Sequence, residues 1–193
     1  QESRPAKPDA LGTLGEEHLT RALVAHHYVD RESVKYAKRE GLAAGVPFVL
    51  EVALGVLHAE YGDCRGSRVV GLNWTPALVQ PIRELAEMLG EARVDTYDPV
   101  SVLVHLAYPR PDYTDRGKSV LSLPEEITAG LASAGNAVTG DWTTAKRQAD
   151  RDGRVREQEL ERQRKTQRAE QLSIKEAAYR VMVDAYMKAS GNG

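Results

Sequence analysis

A lysine in a polar loop after a buried strand has a chemical use that neutral residues lack: its compact ammonium reaches a phosphate on a flexible stem. Lys118, at the end of Tyr108–Lys118 (YPRPDYTDRGK), is such a residue. Gly117-Lys118-Ser119 also matches the end of a phosphate-binding loop. That pattern requires a glycine five residues before Gly117, and Asp112 stands there. The backbone cradle is therefore incomplete. Lys118 is either an ordinary solvated lysine or the reaching charge for a phosphate held elsewhere.

The remaining chemistry-bearing residues are scattered. His26, His27, His58 and His105 lack metal-ligand partners at useful spacing, so no metal site is expected. His105, inside an apolar run, is either a hydrogen-bonded core residue or a ligand. Cys64 is the single cysteine, which excludes an internal disulfide and fits a reducing, cytoplasmic setting. No Ser-His-Asp arrangement follows from the spacings, and no catalytic residue is expected within the chain.

The elements that position these residues are legible as apolar runs. Val46–Leu57 (VPFVLEVALGVL) and Val100–Ala107 (VSVLVHLA) read as strands, the second buried on both faces. Glu51 in the first is either an outward-facing residue or a paired polar group. Ser67–Asn73 is a third strand, and Arg93–Tyr97 a short fourth. Leu14–Tyr28 and Ala77–Leu89 carry helical spacing, the latter ending at Gly90. Arg31–Arg39 is either a charged helix or a loop. Pro109 and Pro111 end the strongest strand, and Pro124-Glu125-Glu126 opens the next helix.

From Thr143 the composition changes. Lys146–Glu170 holds nine basic and six acidic residues, which predicts a long solvated helix or one side of a loose coiled coil, with Gly153 as its weak point. Ser173-Ile174-Lys175-Glu176 has capping-box form and predicts a further amphipathic helix that docks through Ile174, Ala178, Val181 and Ala185. The expected organisation is a linker over 1–13, an α/β domain over 14–141 and helices over 142–193. The chain has 193 residues, 41% of them hydrophobic, and a formal net charge of −2, which favours neither a nucleic-acid nor a membrane partner. No apolar run approaches the roughly 18–20 residues of a membrane span. Gln1–Ala10 does not read as a signal peptide. An opening at Gln1 and a close at Ser190-Gly191-Asn192-Gly193 lead to the expectation of a piece of a larger protein.

Several segments, in order, resemble the transducer domain of the topoisomerase VI B-subunit and its bacterial relatives. Pro8–Glu17 is similar to the stretch that leads into that domain, with Thr13 where the family usually has proline. Gly45–Val52 resembles its first strand. Gly71–Pro76 stands where the family carries an Asn-Arg-x-Pro stretch. Val104–Ala107 followed by Tyr113–Lys118 is similar to its strand and lysine loop, which reads Thr-Asp-Arg-Gly-Lys-Ser in bacterial relatives. Together these matches span most of residues 8–193.

The resemblance implies an α+β fold: a mixed β-sheet with helices on one face, a left-handed βαβ crossover against the usual handedness, and a long C-terminal helix. It implies a transducer of a type IIB DNA topoisomerase, joining an N-terminal ATP-binding domain to an A-like DNA-cleaving subunit, with duplex DNA in the full assembly. Lys118 is then the contact to the ATP γ-phosphate, and Thr114, Asp115, Arg116 and Gly117 form its loop. The family's Ser-Glu-Ser before the lysine is Asp115-Arg116-Gly117 here. ATP and Mg²⁺ belong to the intact protein, bound mainly by a domain absent from this chain, which alone neither hydrolyses ATP nor cuts DNA. The alternative is a non-catalytic α/β interaction module whose charged helix is an assembly strut. A third reading makes that helix a DNA-binding element.

Overall fold

The structure, a computed structural model, describes residues 7–77, 81–117 and 119–190. The chain divides into two compact units, residues 1–144 and 145–193. In the first unit, helix α1 (Glu16–His27) precedes strands β1 (Lys35–Ala43) and β2 (Val46–Val56). Then come β3 (Arg68–Leu72), β4 (Thr75–Pro76), helix α2 (Glu84–Glu91), β5 (Val100–Ala107), and the short β6 (Asp112–Tyr113) and β7 (Leu121–Ser122). Helix α3 (Glu125–Ser190) follows.

The fold is α+β with a mixed sheet of order β1-β2-β5-β3-β4 and a second sheet of β6 and β7. β2 and β5 are neighbours inside the larger sheet, and all eight residues of β5 are buried. That is why their sequences read as nearly unbroken apolar runs. β3 and β5 are parallel neighbours joined through α2, a βαβ unit. Alternation along the strands creates two cores. Phe48, Leu50, Val52, Val102, Val104 and Leu106 face α2 and the first turns of α3. Ala53 and Leu103 face the opposite way, onto Leu19 and Leu23 of α1. Each fully buried Leu or Val contributes about 1.5–3 kcal/mol.

Four elements differ from their sequence expectations. Lys35–Ala43 is a strand rather than a charged helix or loop. It is the sheet's edge, where charge on the exposed positions is tolerated and blunts further pairing. Ala44 and Gly45, both at positive φ, turn it into β2 through a two-residue hairpin loop. α2 begins at Glu84, because Pro81 lacks the N–H that a helix started at Ala77 would need; Leu78 lies outside the described residues. Arg93–Tyr97 is no strand. Arg93 takes the left-handed conformation, and the N–H groups of Arg93 and Val94 donate to Gly90 and Leu89, closing α2 as a Schellman motif. Finally, α3 runs through Gly153 and Ser173 without a break, so the capping-box pattern starts no new helix. Of the expected linker, residues 1–6 lie outside the described ones, as do Gly191–Gly193; Pro8–Leu11 is a 3-10 turn.

Close approach at Gly66 yields a test. A Cβ there would overlap the Val100 backbone, which cannot rotate aside. Gly66→Ala is expected to cost about 2–3 kcal/mol in urea denaturation. A change under about 0.5 kcal/mol would show that the 62–67 turn yields freely.

In the second unit every described side chain is exposed except that of Arg147's neighbour Lys146, which is half-buried near the unit's start. Lys165 pairs with Glu161 at 2.9 Å, and Gln148 donates to Asp152 at 2.9 Å, both one helical turn apart. Ile174, Tyr179, Val181, Met182, Tyr186 and Met187 are between 65 and 72% exposed. Among the described residues no helix is long and apolar enough to cross a membrane.

Candidate functional site

Because β3 and β5 are parallel, their carboxyl ends open on the same edge of the sheet. After β3, Asn73 and Trp74, at φ 47° and 69°, form a two-residue turn into β4 with both central residues left-handed. Asn73 also ties this turn to the root of the polar loop. Its Nδ2 donates to the Tyr108 carbonyl at 2.8 Å, and its Oδ1 accepts from the Tyr108 N–H at 2.7 Å. A side-chain amide thus continues the β3–β5 ladder beyond the last strand residue.

The loop after β5 folds on itself through Asp115. Its carboxylate accepts from the Ser119 N–H at 3.0 Å, the Ser119 hydroxyl at 2.8 Å and the Val120 N–H at 3.1 Å. The Ser119 hydroxyl, then the Val120 N–H, hold the Asp115 pKa below the usual carboxylate range. The Thr114 N–H donates to the Val120 carbonyl at 2.9 Å, and β6–β7 closes the base. Thr114, Asp115, Arg116 and Gly117 are exposed, and Lys118 lies outside the described residues. Asp115 thus directs its charge to the loop's own backbone and to the Ser119 hydroxyl. Asn73, Thr75, Pro76, Pro111, Tyr113 and Ser119 line a cleft of about 680 Å³ between the turn and the loop, and Gly117 reaches it too.

A second constellation lies on the α1 face, and the sequence alone leaves it unresolved. Glu51 of β2 and His105 of β5 are direct cross-strand partners, 0% and 2% exposed. Glu51 is the buried, paired alternative. Its Oε2 accepts from the Leu14 N–H at 2.8 Å and from His105 Nδ1 at 2.9 Å. Its Oε1 accepts from the Gly15 N–H at 2.7 Å and the Tyr36 hydroxyl at 2.8 Å. Burial pushes the Glu51 pKa up, but these four hydrogen bonds, that of His105 first, outweigh it and hold the carboxyl down at about 2. Burial, then the bond to Glu51, pushes the Tyr36 pKa up. His105 is satisfied at Nδ1 only. Nε2 is buried with no hydrogen-bond partner among the described residues. No group of three or more metal-capable side chains comes together among them.

The depressed carboxyl sets a pH dependence. A group whose folded pKa lies below its ordinary 4.5 stabilises the fold fully above that value. The contribution is lost as pH falls from about 4.5 through about 2. Its size is on the order of 3 kcal/mol. Urea midpoints between pH 6 and pH 2 are expected to fall in that window for the parent chain, and much less for Glu51→Gln.

No protein-family model matches the chain, and no curated protein matches it. Among solved structures it is similar to the B-subunit of the DNA gyrase from Myxococcus xanthus, at 9% identity and a TM-score of 0.40, over 60% of this chain and 36% of that one. It is also similar to the 43K ATPase domain of Thermus thermophilus gyrase B in complex with an aminocoumarin, at 14% identity and a TM-score of 0.34, over 71% of this chain and 44% of that one. The chain spans less than half the length of either, and likenesses this loose assign it no role.

Proposed function

We propose that the chain is the transducer segment of a type IIB DNA topoisomerase B-like subunit, in which Lys118 contacts the γ-phosphate of ATP bound by another domain. The observation that carries this reading is the cleft at the carboxyl ends of β3 and β5. Open α/β sheets bind ligands at such an edge. Gly117 and Ser119, which flank Lys118 in sequence, both line it. The ordered sequence resemblance over most of residues 8–193 supplies the chemistry.

An ammonium that contacts only the γ-phosphate loses its partner on hydrolysis and phosphate release. The loop's docked state then differs in free energy between the two nucleotide states. ATP and Mg²⁺ are held mainly by the ATP-binding domain, not by this chain. The exposed apolar residues of the second unit, Ile174, Val181 and Tyr186 among them, dock on the A-like DNA-cleaving subunit and relay the state to it. Those same residues favour the second reading, an interaction module without nucleotide contact. ATP turnover by the intact protein carrying Lys118→Ala separates the two: the transducer reading requires a slower rate, the interaction module an unchanged one.

A further inference from the structure

The polar loop after β5 is closed upon itself and carried on two ties. Internally, Asp115 cyclises it through Ser119 and Val120, Thr114 pairs with Val120, and β6–β7 closes its base. A segment closed in this way moves as one piece. Among the described residues, hydrogen bonds join it to the rest of the fold at two places. The Leu121 N–H donates to the Pro81 carbonyl at 2.8 Å. The Asn73 carboxamide holds Tyr108 from both sides, donating to its carbonyl and accepting from its N–H. Beyond Tyr108, Pro109 and Pro111 have no N–H groups that could add a third tie. Tyr113 is half-buried against the core, but apolar contact is non-directional and sets no orientation.

The chemistry at position 73 calls for an amide. The Asn73 N–H donates to the Leu106 carbonyl at 2.9 Å, a backbone rung at the end of the β3–β5 ladder. At φ 47° the backbone then swings off the ladder toward β4. The side chain takes its place with one donor and one acceptor, spaced as in a peptide group. Aspartate offers no donor. Glycine offers neither group, although it suits the left-handed turn. Asn73, Gly117 and Ser119 also line one cleft, so a swing of the loop about Leu121 moves a wall of that cleft.

We propose that Asn73 is the positioning residue of the lysine loop. It fixes the orientation in which the closed Thr114–Val120 turn is presented, and without it the turn swings about Leu121 as a body. The kinetic consequence rests on the transducer reading, because Asn73 acts on ATP hydrolysis through Lys118 and not by touching nucleotide.

The test has one arm on the chain and one on the intact protein. Cys64, the single cysteine, is exposed, and so is Arg116 on the loop. The Gly66 N–H binds the Asp98 carbonyl, which places the Cys64 turn at the start of β5, whereas the loop follows its end. Spin labels on Cys64 and on Arg116→Cys therefore measure the loop against the sheet. Their distance distribution is expected to be narrow in the parent and at least about two-fold broader with Asn73→Gly. Solvent exchange of the Thr114 and Val120 amides is expected to stay within about three-fold, because the turn swings without melting. In the intact protein, Asn73→Gly is expected to lower kcat for ATP hydrolysis at least about three-fold, with KM nearly unchanged. It is expected to cost nothing further once Lys118→Ala is present. Should Asn73→Gly not fold, Asn73→Asp keeps the turn and the acceptor, loses only the donor, and is held to the same outcomes. An unbroadened distribution, melted Thr114 and Val120 amides, or a loss of kcat that persists in full beside Lys118→Ala each overturns the proposal. A slow Lys118→Ala with a normal Asn73→Gly overturns it alone. A normal Lys118→Ala removes the transducer reading and the proposal with it.

Discussion

Glu51→Leu is expected to lower the unfolding free energy by about 4 kcal/mol at pH 7, most of the stability of a marginal domain. The magnitude comes from what is left behind. The Leu14 and Gly15 N–H groups, the Tyr36 hydroxyl and His105 Nδ1 all donate to this one carboxylate. Leucine fills comparable space but accepts nothing, and each buried donor without an acceptor costs about 1–3 kcal/mol before relaxation. Two companion variants separate this cause from simple loss of packing. Glu51→Gln retains one acceptor oxygen and is expected to lose roughly half as much. Tyr36→Phe in the Glu51→Leu background removes an orphaned hydroxyl and is expected to restore about 1 kcal/mol. Urea denaturation measures all three. A loss below about 1 kcal/mol for Glu51→Leu would mean that water or rearranged backbone replaces the carboxylate at little cost.

Lys118→Ala in the intact protein is expected to lower kcat for ATP hydrolysis at least about ten-fold, with a smaller change in KM. The split follows from the proposed geometry. Most nucleotide contacts belong to another domain and act equally on bound substrate and transition state. The lysine's charge meets the phosphoryl oxygens, where negative charge shifts during transfer. The loop's described hydrogen bonds run through Thr114, Asp115, Ser119 and Val120, so the chain's own stability is expected to hold within about 0.5 kcal/mol. An intact protein that turns over ATP normally without Lys118 would end the sensor reading and leave the interaction module.

What is legible in the sequence depends on whether one segment holds the whole signal. β2 and β5 are apolar along their length because both faces are covered, and their runs announce them. β1 hides for the opposite reason. As an edge strand it carries Lys35, Lys38, Arg39 and Glu40, whose charges erase the period-two pattern. The true start of α2 is masked because apolar spacing continues through Pro81, and a missing N–H outranks spacing. Arg93 closes a helix without the glycine that usually marks such a cap, so its backbone conformation leaves no trace in residue type.

At the candidate sites the same division holds. The loop of Thr114, Asp115, Arg116 and Gly117 is recognisable as polar and proline-broken, but nothing local tells that Asp115 bonds its own backbone. The Glu51–His105 pair is harder still. Each is one polar residue in an apolar run, and only the β2–β5 register, across 54 positions, makes them neighbours. Asn73 gives no sign of its second role, because an asparagine after a strand ordinarily signals a turn, and here it also extends a ladder.

The anchoring of Leu14 and Gly15 on Glu51 has a mechanical consequence. Tension on the chain ahead of position 14 does not meet a swivel. It meets two backbone N–H groups held by one carboxylate in the middle of an interior strand, and Tyr36 and His105 brace that carboxylate from the strands on either side. A pull there loads these bonds together rather than peeling them singly, and the force enters three neighbouring strands at once. The opening residues of the fold are thus fastened as a rivet fastens a strap to a plate, and displacement upstream is handed to the sheet as a whole.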